Sequence, residues 1–65
     1  SELYMAVQNL PEHIRITIVL YYVEGYSIKE IKEILEIPAG TVKSRLAKGR
    51  NLLKIKLEDM EVNYE

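Results

Sequence analysis

The chain has no cysteine, so neither a disulfide framework nor a thiolate metal site can form in it. Its one histidine, His13, excludes a multi-histidine metal cluster. No glycine-rich phosphate loop or cofactor box accompanies the five tyrosines. The longest unbroken apolar run, Ile18 to Val23, falls far short of the roughly 20 residues a membrane helix needs. No signal peptide is visible, and the chain opens on Ser1 rather than methionine, so a piece of a longer cytoplasmic protein is expected. With 65 residues there is room for one domain. A domain of this size buries only about 60% of its unfolded surface and is therefore marginally stable.

Hydrophobic side chains make up 48% of the sequence, and the net charge is −1. That near-neutral total conceals a strong asymmetry. Between Thr41 and Leu57 stand six cations (Lys43, Arg45, Lys48, Arg50, Lys54, Lys56) and no anion. Residues 1–40 carry three cations against six glutamates, and residues 58–65 carry four acids and no base. A concentrated basic stretch is a local electrostatic footprint for a polyanion, whatever the overall charge.

The pattern along the chain predicts an all-α fold of four helices. Leu3, Ala6, Val7 and Leu10 recur at helical spacing over residues 3–9, and Pro11 ends that element. The segment Glu12–Glu24 contains strand formers. Its length, Pro11 at the first helical position and Gly25 as a C-terminal cap nevertheless favour helix. A helix so apolar on nearly every side needs to be surrounded by its own domain or by a partner. Ser27 and Glu30 form a capping box that opens a third helix with Ile28, Ile31, Ile34 and Leu35 on one face. A fourth helix is predicted to start at Gly40-Thr41 with Thr41 as N-cap. Its buried stripe is Val42, Leu46, Gly49, Leu53 and Leu57, and Gly49 is tolerated there for close packing against another helix. The acidic end, 58–65, is expected to fray.

Two short helices joined by Glu36-Ile37-Pro38-Ala39-Gly40 make a helix-turn-helix, without a wing, whose second helix can enter a DNA major groove. Away from the buried stripe lie Lys43, Ser44, Ala47 and Lys48, the candidate base-reading residues. Lysines can donate to guanine O6 and N7, a serine hydroxyl can donate or accept, and an alanine methyl can pack on thymine. Arg45 and Arg50 flank this face as phosphate contacts, and the N–H groups at Gly40 and Thr41 offer another phosphate site. Catalytic residues, metal, cofactor and small-molecule substrate are not expected. His13 reads as a surface residue near a helix start.

Taken together, Leu10-Pro11-Glu12, Glu24-Gly25-Tyr26-Ser27, Glu30-Ile31, Ile34-Leu35, Ile37-Pro38 and Gly40-Thr41-Val42-Lys43-Ser44-Arg45-Leu46 resemble region four of bacterial extracytoplasmic-function (ECF) sigma factors. The likeness covers about residues 3–57 and is most specific from Pro38 to Leu46. It implies a domain that recognises the minus-35 promoter element while riding on core RNA polymerase, in contact with the β-subunit flap and subject to masking by an anti-sigma factor. The base-reading positions of that family fall on Lys43, Ser44, Ala47 and Lys48, and its phosphate contacts on Thr41 and Arg45. Arg15 matches a position that can touch the DNA backbone, with a surface ion pair to a glutamate as the alternative. Lys32 stands where a small alanine is usual, Glu36 replaces the glycine of the turn, and Ala47, Lys48 and Gly49 depart from larger or bidentate side chains. These changes soften or redirect the base preference. Two other readings are the effector domain of a dimeric response-regulator-type activator and a protein-interaction module that does not bind DNA.

Overall fold

In the computed structural model, residues 1–64 are described, with side chains described through Lys56 and at Glu58. Four helices follow in chain order: α1 (Glu2–Gln8), α2 (Glu12–Ile18), α3 (Ile28–Leu35) and α4 (Ala39–Tyr64). Between α2 and α3 the chain continues as a π-helical turn, Val19–Val23. The all-α expectation holds, and no strand occurs among the described residues.

Each helix start has a local cause. The Ser1 hydroxyl accepts the Tyr4 N–H at 3.1 Å and caps α1. Pro11 sits at the N-cap of α2, one position earlier than predicted, with φ −53° and ψ 143°. Its ring-locked φ suits that extended conformation, and its carbonyl accepts from Ile14 and Arg15 N–H at 3.0 and 2.8 Å. At α3 both halves of the predicted capping box form: the Ser27 hydroxyl accepts from Glu30 N–H, and the Glu30 carboxylate accepts from Ser27 N–H at 2.9 Å. These bonds favour the ionised carboxylate, so Glu30 titrates below the usual glutamate value.

Six side chains form the core: Leu10, Ile14, Ile18, Ile31, Val42 and Leu46. Ile31 and Val42 are fully buried, which locks α3 against α4. Thr17 is also fully buried, and its hydroxyl is satisfied by donating to the His13 carbonyl at 2.8 Å. His13 itself is exposed. Ile34, predicted on the apolar face of α3, is 48% exposed. At 100° per residue it lies about 90° from the mean direction of Ile28, Ile31 and Leu35, at the edge of that face.

The predicted continuous α-helix from Glu12 to Glu24 is corrected after Ile18. There Glu24 N–H reaches the Val19 carbonyl, five residues back, and Tyr26 N–H reaches the Leu20 carbonyl. Gly25 supplies the left-handed φ of +80° that closes the turn. The apolar residues of this segment are only partly surrounded: Ile16, Tyr22 and Val23 remain exposed.

Gly49 is the closest helix contact. A Cβ placed on it would lie 2.6 Å from both Cδ1 and Cγ1 of Ile18 and 3.0 Å from Cγ2 of Ile14. The glycine cost inside α4 is therefore offset by the approach of α2, as predicted from its place on the stripe. Of that stripe, Val42 and Leu46 are buried and Leu53 half-buried, while the Leu57 side chain lies outside the described residues. Helix α4 runs on through the acidic segment to Tyr64, where the expectation was fraying from Glu58. Glu65 lies outside the described residues.

Candidate nucleic-acid interface

The turn between α3 and α4 fixes how the fourth helix is presented. Glu36 caps α3 in the left-handed conformation, φ 55° and ψ 48°, and its N–H donates to the Lys32 carbonyl. Ile37 N–H donates to the same carbonyl at 3.2 Å. This region costs a side-chain-bearing residue roughly 1–2 kcal/mol relative to the right-handed one. The turn thus needs the conformation a glycine adopts freely and carries a glutamate in it. Lys32 points to solvent, so α3 and α4 meet through Ile31 without accommodating its stem.

The start of α4 lies three residues earlier than a Thr41 N-cap would give. Ala39 is its first residue, and the Pro38 carbonyl accepts from Thr41 and Val42 N–H at 3.0 and 3.2 Å. Thr41 is therefore not the N-cap. Its N–H is already paired, and the phosphate-accessible donors of the first turn shift to Ala39 and Gly40, which precede the first helical bond.

Beyond the first turn, the buried Val42 and Leu46 turn Lys43, Ser44, Ala47 and Lys48 outward, and all four are exposed. At 100° per residue they cover an arc of about 140° opposite the core. No aspartate or glutamate occurs between Glu36 and Glu58, so the face has no intrinsic anion to neutralise it. The Ser44 hydroxyl donates to the Thr41 carbonyl at 3.0 Å. Asn51 lies exposed on the same arc one turn below Ala47, a position the sequence reading did not single out. Its spacing of four from Ala47 is the signal that places it there.

The remaining candidates divide between the two flanks. Thr41 and Arg45 are half-buried along one edge of the arc. Arg50 lies along the other, and its guanidinium donates to the Tyr22 hydroxyl at 3.1 Å. Arg50 is thus tied to the π-helical turn, a contact across 28 residues with no sequence signal to announce it. Arg15 donates through Nη1 to the Gln8 carbonyl at 3.0 Å, closing the corner between α1 and α2. Its partner is backbone where the alternative expectation named a glutamate.

Behind this face, between α1, the π-helical turn and the lower half of α4, lies an open apolar groove of about 770 Å³. Leu3, Val7, Tyr22, Val23 and Leu53 line it, with Arg50 and Lys54 at the rim. Lys54 also faces Glu58 one turn on, at 3.9 Å, an exposed pair that contributes little. No helix among the described residues is long and apolar enough to cross a membrane. No group of three or more histidine, aspartate or glutamate side chains among them could hold a metal ion.

Comparison with known proteins places this arrangement. Residues 1–53 match the family model described as sigma-70, region 4. The chain is 46% identical over 54 residues to the ECF RNA polymerase sigma factor SigW of Bacillus subtilis, covering 83% of this chain and 29% of that protein. It is 37% identical over 54 residues to the ECF RNA polymerase sigma-E factor of Haemophilus influenzae, with the same coverage of each chain. With the sigma-E factor of Escherichia coli K12 it shares 33% identity over 57 residues, covering 88% of this chain and 30% of that one. The matched segment thus spans under a third of the length of these curated relatives.

Proposed function

This chain belongs to the sigma-70 region 4 family, and from that premise we propose that it recognises the minus-35 promoter element as part of an RNA polymerase sigma factor directing transcription initiation. The supporting observation is the outward face of α4. Lys43, Ser44, Ala47 and Lys48 are exposed together over a buried stripe, with no acid between Glu36 and Glu58. In this reading α4 lies in the major groove, Lys43 and Lys48 donate to guanine, and Ala47 packs on a thymine methyl. Gly40 through its N–H, and Thr41 and Arg45 through their side chains, hold phosphates. Arg50 and Arg15 contact phosphate through the guanidinium N–H groups not engaged by Tyr22 and Gln8.

Affinity comes from tethering. A module with a few exposed cations binds duplex non-specifically with dissociation constants of about 10⁻⁴ to 10⁻⁶ M. Two or three base contacts at about 1–3 kcal/mol each add selectivity. Joining the domain to a second promoter-reading element on polymerase raises its effective concentration to roughly the millimolar range. The apolar groove beside α1 suits the core-polymerase contact, by way of the β-subunit flap, and an anti-sigma factor would cover that groove or the reading face. The bacterial cytoplasm, at the nucleoid, is the compartment this reading requires.

The test is a titration of duplex DNA across ionic strength. Neutralising four to five phosphates gives a slope of log K against log salt of roughly −4. A flat dependence, or no binding at low salt, refutes DNA recognition. Cooperative binding of a palindrome by a dimer, without polymerase, would instead establish the activator reading.

A further inference from the structure

We propose that Ser44 reads the amino edge of one base: it selects adenine or cytosine over guanine or thymine at a single strand position in the groove facing α4. The proposal rests on the DNA-reading function above and specifies the chemistry of one of its contacts.

A serine hydroxyl has one proton and two lone pairs, and a free hydroxyl rotates to donate or accept as its partner demands. Ser44 does not present a free hydroxyl. Its proton is donated to the Thr41 carbonyl at 3.0 Å, an exposed bond within its own helix. What it shows outward is therefore acceptor character. Among the exposed side chains from Gly40 to Lys48, Lys43 and Lys48 only donate and Ala47 is apolar, so Ser44 alone can accept. The face reads in order as donor, acceptor, methyl, donor.

Each strand position in the major groove shows either an exocyclic amine, on adenine N6 or cytosine N4, or a keto oxygen, on guanine O6 or thymine O4. A hydroxyl that keeps the Thr41 bond accepts from the first and meets the second oxygen to oxygen; donating to the second requires it to rotate and give that bond up. The neighbouring lysines have the opposite preference. Ser44 thus adds a contrasting position between two lysines that favour guanine, one to two turns ahead of Asn51, whose amide can both donate and accept. It compensates in part for lysine's lack of a bidentate fork.

The experiment is selection of the purified protein on a duplex library randomised over eight base pairs, followed by anisotropy titrations of the selected duplex. Wild type should enrich one base pair that Ser44→Ala no longer enriches, and Ser44 should depend on the adenine or cytosine of that pair. Replacing that base with purine or 2-pyrimidinone, which lack the amine, should weaken binding about 5-fold or more. Ser44→Ala, a substitution toward a better helix former, should lose this preference alone and bind the amine-free duplex as well as the amine-bearing one. Ser44→Thr, which keeps the hydroxyl, should retain it. If Ser44→Ala leaves the full base pattern unchanged, or wild type binds the amine-free duplex as well as the amine-bearing one, the proposal is overturned while DNA reading stands. If wild type enriches nothing and binds no duplex at low salt, both fall, and the wild-type titration alone identifies that outcome.

Discussion

Replacing Gly49 with alanine sets two effects against each other, and the structure decides the sign. Helix propensity alone favours the change by about 1 kcal/mol, because alanine loses less backbone entropy than glycine. Packing opposes it. The new methyl would sit 2.6 Å from Cδ1 and Cγ1 of Ile18 and 3.0 Å from Cγ2 of Ile14. Only Cδ1 is the far end of its side chain, since Cγ1 and Cγ2 are bonded directly to Cβ, and both isoleucines are buried in the core. Overpacking of this kind costs about 1–3 kcal/mol, leaving a net loss of about 1–2 kcal/mol at the upper part of that range. For a domain this small, each kcal/mol shifts Tm by roughly 4–8 °C. Thermal unfolding followed by circular dichroism should therefore show Gly49→Ala melting about 5–15 °C below wild type. Pairing it with Ile18→Val removes Cδ1, so the double variant should lose less than the sum of the singles, by about 1 kcal/mol. A Gly49→Ala variant that melts above wild type would refute the close approach of α2 to α4.

Three further outcomes are expected. Glu36→Gly should stabilise the fold by about 1 kcal/mol, since it relieves a left-handed side-chain-bearing residue and gives back part of the gain as glycine entropy; urea unfolding midpoints measure it, and an unchanged or lower midpoint counts against strain at the turn. The lowered titration of Glu30 means that its capping contribution is complete above about pH 4.5 and is lost as pH falls through the lowered value. Glu30→Gln should flatten that acid limb of the stability profile and lower neutral stability by what the limb amounted to, so that the two proteins converge in acid, and an identical acid limb in both proteins would reject the assignment. On DNA, Lys48→Ala should relax preference at one or two base pairs while Arg45→Ala weakens all sequences alike; equal losses on selected and scrambled duplexes for both variants would contradict the division of roles.

Local chemistry made much of this molecule readable in advance. Ser27 and Glu30 announce their helix because a capping box is a bond between neighbours, and the stripe through Val42, Leu46 and Gly49 is visible as a spacing. The same spacing turned Lys43, Ser44, Ala47 and Lys48 outward, where the structure has them. What escaped depends on the third dimension or on backbone detail. The π-helical turn after Ile18 has the same residues that an α-helix could use. The bond from Arg50 to Tyr22 joins groups that only the folded chain brings together. The start of α4 was displaced because Thr41 is a good cap by composition, whereas the Pro38 carbonyl accepts the first helical bonds. Arg15 illustrates a further limit: its charge suggests ionic partners, and it spends a donor on the Gln8 carbonyl.

The near-zero exposure of Val42 and Leu46, with Gly49 wedged under Ile18, sets the rotational phase of the fourth helix about its own axis. Turning that rod by one residue would swing every outward side chain through about 100° and replace the whole display. The aim of the surface is thus kept by interior carbons that no ligand touches, and substitutions at Ile14 or Ile18 can redirect it from beneath.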